Sequence, residues 1–286
     1  MEVPFLKMHG LGNDYVFLDL IRYPDLSSLD FAHVSRVVSD RHRGVGGDGV
    51  ILIEPGDAQH DLGMRIFNAD GSEGEMCGNG VRCVMRHAAA EGYAPRRQRV
   101  RTRAGAVEGE VLEDGLVSVD MGTPRLTRGE IGFTGAGEMR EETVEVGGRR
   151  LALTAVSMGN PHVVSFWPAE PDLVELALSL GPAIERAAFA PERTNVEFVH
   201  ALAPDRLRME VWERGSGRTQ ACGTGACAAL VAAVVTGRSA RTATLMLSGG
   251  ELRVSWREDG HVIMRGTAAV SFRGSFDWPW GNEAAW

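Results

Sequence analysis

The stretch EGEMCGNGVRC (Glu73–Cys83) sets a cysteine before Gly78-Asn79-Gly80 and then turns into an apolar run with helical spacing. TQACGTGACA (Thr219–Ala228) has the same layout, and Cys77 and Cys222 are 145 residues apart. Other pairs keep nearly the same interval. Gly92 is matched by Gly237, Gly105 by Gly250 and Glu113-Asp114-Gly115 by Glu258-Asp259-Gly260, while Gly12-Asn13 answers Gly159-Asn160. One Asp-Gly match would mean little, because such turns are common. An ordered set implies two homologous halves, and two repeats are too few for a solenoid. The expectation is an α+β protein of two pseudo-two-fold lobes. Each is a mostly antiparallel, barrel-like sheet around a central helix. The first lobe is expected over 1–124, with 270–286 returning to it, and the second over 125–269.

The segments between the turns agree. GVILI, MRIF, RVRTR, LVSVD and HVVSF read as short strands. In the first helix Val81, Val84, Met85 and Ala88 line one face, so Arg82, Arg86 and His87 on the other are expected to reach solvent. The second, Ala226–Val235, is apolar all round and is expected to be buried. Glycine is abundant, 36 of 286 residues, which suits many turns between short strands.

Charge and composition narrow the function. The net charge is −8, so there is no basic footprint for nucleic acid or an anionic membrane. The longest apolar run, Ala226–Val235, is too short to span a bilayer. The first residues lack the layout of a signal peptide. A soluble, cytoplasmic protein with reduced thiols is expected. Lys7 is the single lysine, which makes a pyridoxal Schiff base improbable.

A helix start has amides without internal partners and a positive dipole end. A cysteine placed there is biased towards thiolate. The glycines let a carboxylate or phosphate approach the amides. Cys83 and Cys227 fall ~240° and ~140° round the helix and read as inert packing thiols. For Cys77 and Cys222, duplication at two helix starts argues against packing alone. Zinc is weakly supported, because the cysteine spacings lack the usual close pairs. A structural disulfide is disfavoured, and a redox switch between Cys77 and Cys222 stays open. Two cysteines facing one carbon would suit inversion of a stereocentre, one as thiolate base and one as thiol acid.

At these residues the chain resembles the diaminopimelate epimerase family, which is cofactor-independent. The matching stretches are KMHGLGNDY (Lys7–Tyr15), DRHRGVGGDG (Asp40–Gly49), FNADGSEGEMCGNG (Phe67–Gly80), SMGNPHVV (Ser157–Val164), TNVEFV (Thr194–Val199) and WERGSGRTQACGTGACA (Trp212–Ala228). The resemblance implies interconversion of LL- and meso-diaminopimelate for lysine and peptidoglycan synthesis, commonly by a homodimer. It implies that Cys77 and Cys222 are the acid/base pair and that His162 and Glu213 tune them. Gly78, Asn79, Gly223 and Thr224 would cradle the reacting carboxylate. Asn13, Asn68, Asn160, Asn195, Glu213 and Arg214 would bind the substrate. No metal is implied. Many relatives carry a glutamine near Gly49 that touches substrate, and the Trp-rich end, Asp277–Trp286, runs past the usual terminus. Within the two-cysteine superfamily, proline racemase and hydroxyproline epimerase are the nearest rivals, though neither needs Glu213-Arg214 for a second amino-acid head. A thiol redox protein is a rival of another class. A nucleotide binder, prompted by GVGGDG, ranks low because no phosphate-loop lysine follows.

Overall fold

The computed structural model of the chain describes residues 1–279. It divides into two compact units, Met1–Val119 together with the chain from Thr267, and Asp120–Gly266.

The first unit runs β1 (Glu2–Gly10), β2 (Asn13–Asp19), α1 (Phe31–Val38), β3 (Gly49–Pro55), β4 (Leu62–Asn68), β5 (Glu73–Gly74), α2 (Gly78–Glu91), β6 (Arg97–Thr102), β7 (Gly105–Val111) and β8 (Val117–Asp120). The second runs α3 (Arg128–Ile131), β9 (Glu142–Val146), β10 (Arg149–Ser157), β11 (Pro161–Trp167), α4 (Leu173–Glu185), β12 (Asn195–Ala203), β13 (Arg206–Glu213), β14 (Gly217–Thr219), α5 (Gly223–Val235), β15 (Thr242–Leu247), β16 (Gly250–Trp256) and β17 (Val262–Gly266). The last strand, β18 (Ala269–Asp277), pairs antiparallel with β1.

The two units have one pairing scheme. In the first, β18–β1–β2 are antiparallel, β2–β3 parallel, β3–β4–β5 antiparallel, β4–β6 parallel and β6–β7–β8 antiparallel. In the second, β9–β10–β11 are antiparallel, β11–β12 parallel, β12–β13–β14 antiparallel, β13–β15 parallel and β15–β16–β17 antiparallel. Parallel neighbours need a crossover. A helix fills each one: α1 and α4 the first, α2 and α5 the second. The fold is the α+β, mostly antiparallel arrangement expected from the repeat.

Helices cover both faces of the central strands. In β2 and β3, Val16, Leu18, Val50 and Leu52 join the cluster containing Phe31, Val34 and Val38 of α1. On the opposite face Ile51 lies against the start of α2. That double burial explains why GVILI is a continuous apolar run rather than an alternating one. In the second unit α5 packs against β10–β13 and β15–β17, and nearly its whole surface is buried. The all-round apolar sequence of this helix is thereby accounted for.

The polar face of α2 departs from expectation. Arg86 is exposed, but Arg82 and His87 are buried. Arg82 donates to Gly78 O (3.2 Å), Asn79 Oδ1 (2.9 Å) and Thr267 O (3.2 Å). His87 Nε2 lies 3.2 Å from Asp19 Oδ2, which also accepts the Tyr93 hydroxyl at 2.8 Å. Helical spacing marks the apolar face but is blind to a second layer of chain over the other one. Here β2 and the chain around Thr267 supply that layer, and hydrogen bonds make the burial tolerable.

At the C-terminal end Trp278 is pinned to its own unit. Its amide donates to Met1 O at 2.7 Å and its ring meets His33 edge-on, with centroids 5.3 Å apart. Trp280 and Trp286 lie outside the described residues.

Two glycines give a test. Gly92 ends α2 at φ 75° with open space where a Cβ would go, so Gly92→Ala should cost about 1 kcal/mol from the left-handed backbone alone. A Cβ at Gly49 would stand 2.1 Å from Phe67 O. Gly49→Ala should therefore cost ~3 kcal/mol in urea unfolding. Equal losses would show that the start of β3 yields easily.

Candidate active site

Each cysteine is the N-cap of its unit's buried helix. Cys77 has φ −134°, ψ 114° and Cys222 has φ −121°, ψ 115°, the extended conformation a cap requires. Each Sγ accepts the amide three residues on, Gly80 N or Gly225 N, at 3.4 Å. The sulfur stands where a serine or aspartate oxygen usually does, over the positive end of the helix. The third residue of each helix must be small. A Cβ at Gly80 would lie 2.4 Å from Ile51 Cδ1, and one at Gly225 2.6 Å from Glu197 Oε1. The helix start is thus jammed against β3 in one unit and β12 in the other.

Around Cys77 the polar groups form one chain of contacts. Cys77 Sγ donates to Asn13 Oδ1 at 3.4 Å, and Asn79 Nδ2 donates to the same oxygen at 3.2 Å. Asn13 Nδ2 donates to Asp48 Oδ2 at 2.7 Å. Arg41 then joins Asp48 (2.9 Å) to Asp14 (2.6 Å), and Asp14 pairs with Lys7 at 2.5 Å. Burial opposes ionisation of Asp14, yet Arg41 and Lys7 hold its carboxyl below the usual range. The single lysine of the chain, buried and also donating to Gly46 O, therefore anchors the loop that carries Asp48. Tyr15 is buried beside this group. Burial first, then the Cys77 sulfur, push its hydroxyl well above the ordinary value.

The Cys222 surroundings are acidic. Burial, then Glu213, then Glu197 push the Cys222 thiol well above its ordinary value. Glu213 is itself raised by burial, against a hydrogen bond from Thr219 and one with Cys222. Thr224 Oγ1 lies 3.4 Å from Cys222 Sγ and accepts from Asn160 Nδ2 at 3.3 Å. Asn160 Oδ1 faces His162 Nε2 at 3.0 Å. His162 Nδ1 faces Glu197 Oε1 at 2.7 Å, and both side chains are fully buried.

The shared pairing scheme aligns the two surroundings position by position. Tyr15 and His162, Ile51 and Glu197, and Asn68 and Glu213 are equivalent, as are Asn79 and Thr224. The backbone, the cysteines and the pair Asn13 and Asn160 are repeated, and these four positions are not.

The expected residues divide accordingly. Within its unit, each cysteine is joined to its helix-start residues and its asparagine, Asn13 or Asn160, and Cys222 also to Glu213 and, through Asn160, to His162. Asn195 is placed differently: its Oδ1 accepts Arg214 N at 2.9 Å and its Nδ2 donates to Pro161 O at 2.9 Å. It brackets two loops. Arg214 donates to Glu192 O at 3.2 Å, and Asn68 donates to Ser72 Oγ at 3.0 Å. Gly49 offers no room for a side chain, because its backbone path brings a Cβ within 2.1 Å of Phe67 O. Sequence reasoning missed Tyr15, Asp48, Glu197 and Thr219. Tyr15 lies among apolar strand residues, Glu197 at the polar position of an alternating strand, and Asp48 in a loop that reads as turn.

The diaminopimelate epimerase family model matches residues 5–127 and 154–271. The chain belongs to the diaminopimelate epimerase family. It is 48% identical over 282 residues to diaminopimelate epimerase of Synechococcus elongatus, covering 97% of this chain and 99% of that one. It is 45% identical to the enzyme of that name from Oceanobacillus iheyensis, covering 96% and 98%. Among solved structures it is similar in fold to a PhzF-family phenazine biosynthesis protein of Bacillus anthracis (TM-score 0.68, 14% identity, 97% and 99% covered). It is also similar to a hydroxyproline epimerase of Agrobacterium vitis (TM-score 0.65, 14% identity, 96% and 91% covered).

The acidic surroundings predict a titration. A negative neighbour makes a thiolate harder to form, so removing one lowers the thiol pKa. In Glu213→Gln the ultraviolet signal of the Cys222 thiolate, read in a Cys77→Ser background, should appear at lower pH than with Glu213 present. An unmoved or raised midpoint would show that Glu213 does not carry charge against this sulfur.

Proposed function

We propose that this chain interconverts LL- and meso-diaminopimelate by moving a proton at one α-carbon, supplying lysine and peptidoglycan synthesis. The observation that carries the reading is the same cysteine cap built twice in a chain of this family. One cysteine, as thiolate, removes the α-proton and becomes a thiol. The other, as thiol, returns a proton to the opposite face and becomes a thiolate. The carbon inverts, the electron pair left by the first step is consumed by the second, and the enzyme must redistribute one proton before the next turnover. On this reading no cofactor enters.

The helix-start amides at Gly78-Asn79 and Gly223-Thr224 receive the reacting carboxylate, whose charge grows as the carbanion forms. Glu213 is the acceptor that takes a proton from Cys222 and hands it back. Arg214 binds the distal carboxylate, and Asn13, Asn68, Asn160 and Asn195 line the substrate. His162 acts through Asn160. The two units are the lobes of the duplicated scaffold. We further propose a cytoplasmic homodimer.

Purified protein should epimerise diaminopimelate and leave proline untouched, in the presence of a metal chelator. Cys77→Ala and Cys222→Ala should each lose at least ~10³-fold in kcat, in line with a lost general acid or base. Full activity in either variant, or turnover of proline in place of diaminopimelate, would overturn the reading.

A further inference from the structure

The asparagines that link each cysteine to its surroundings are turned in opposite directions. In the first unit Asp48 can only accept, so Asn13 turns its Nδ2 to Asp48 and its Oδ1 to Cys77. Through Asn13, Cys77 faces an acceptor, with the Tyr15 hydroxyl a further hydrogen-bond partner. In the second unit Asn160 turns its Nδ2 to Thr224 and its Oδ1 to His162. Thr224 Oγ1 accepts from Asn160 and lies 3.4 Å from Cys222 Sγ, within reach to give its own hydrogen to the sulfur. On this side a donor is available to Cys222, while the Glu213 carboxyl is an acceptor for the same sulfur. The difference depends on His162 carrying a proton on Nε2.

Glu197 decides that proton. Its Oε1 is 2.7 Å from His162 Nδ1, and its Oε2 is buried with no hydrogen-bond partner among the described residues. A carboxylate with one oxygen unsolvated and neutral imidazole beside it would put the hydrogen on Nδ1 and leave Nε2 bare, facing the Asn160 oxygen. A pair that is neutral overall, with one proton shared between Oε1 and Nδ1 and another on Nε2, satisfies every contact. Burial raises the Glu197 carboxyl in the same sense. The equivalent position in the first unit is Ile51, so the device exists on one side only.

We propose that Glu197 is a positioning residue of the Cys222 half-site: as the neutral partner of His162 it commits Nε2 to donate, and through Asn160 and Thr224 this aims a hydroxyl hydrogen at the Cys222 sulfur. Its catalytic consequence rests on the epimerase reading above. That donor helps form the Cys222 thiolate against burial and the Glu213 carboxyl, while Asp48 has the opposite effect at Cys77.

Two variants and two readouts test this. Glutamine can donate to Nδ1 as a protonated carboxyl does, so Glu197→Gln should retain activity within a few-fold. Glu197→Leu cannot, and should lose about ten-fold in kcat, the worth of one net hydrogen bond. Cys222 handles the substrate proton in one direction and the solvent proton in the other. In Glu197→Leu the α-deuterium effect on kcat/KM should therefore rise in one direction and the solvent effect in the other, and Thr224→Val should add nothing further. Loss of packing alone would slow both steps and leave both isotope effects unchanged. Nitrogen NMR of labelled His162 needs no turnover: Nε2 should carry a proton in the wild type and in Glu197→Gln at neutral pH. A bare Nε2 in the wild type would overturn the proposal, as would an inactive Glu197→Gln or a Glu197→Leu with wild-type isotope effects. A wild type that bears the Nε2 proton but fails to turn over diaminopimelate would overturn the functional reading and leave the polarity standing.

Discussion

Everything at the two half-sites depends on a sulfur capping a helix whose first turn is pressed onto a strand. The cap needs an extended cysteine and a free amide three residues on. The pressure needs glycine at that third residue, because Ile51 or Glu197 occupies the space of a Cβ. Together they hold each sulfur in a positive field on a rigid element, the condition a proton-transfer group needs if its geometry is to survive a change of charge. Neither requirement concerns substrate directly. Both would be broken by ordinary substitutions, which is why the Cys-Gly-x-Gly pattern is so visible in the chain.

The second unit repeats the backbone of the first and rewrites its polar contents. The pair Arg65–Glu73, at 2.7 Å, joins β4 to β5. At the equivalent positions Glu210 and Arg218 join β13 to β14 at 2.9 Å, with the charges exchanged. A cross-strand ion pair serves the sheet in either order. Around the sulfurs the exchange is not neutral. Where one side has Tyr15, Ile51 and Asn68, the other has His162, Glu197 and Glu213.

The backbone of this molecule was readable because glycine and cysteine mark it. Gly12, Gly159, Gly115 and Gly260 adopt left-handed conformations at turns that both halves repeat, and a side chain is strained there. The strands and the burial of α5 followed from apolar runs. What stayed hidden were polar groups buried by tertiary packing. Arg82 looks like a solvated charge until the chain near Thr267 covers it. Glu197, in TNVEFV, looks like the outward residue of an alternating strand. His162 lies beside it only because β11 and β12 are parallel neighbours, a long-range pairing that spacing does not reveal. Within the candidate site, the cysteines and the pair Asn13 and Asn160 were legible from their duplication, Asn68, Asn79 and Asn195 only from the family resemblance, and Asp48, Tyr15 and Thr219 from neither, since each depends on a long-range contact.

The central claim is that two distinct groups, one for each face, handle the proton. It is tested most directly by the fate of hydrogen in the first turnover. Protein incubated with excess diaminopimelate in deuterated water should yield initial product carrying deuterium at the inverted centre, while unreacted substrate recovered at the same early time carries none. Early product that retains its original hydrogen would mean that a single group removes and returns the same proton, and would contradict the account.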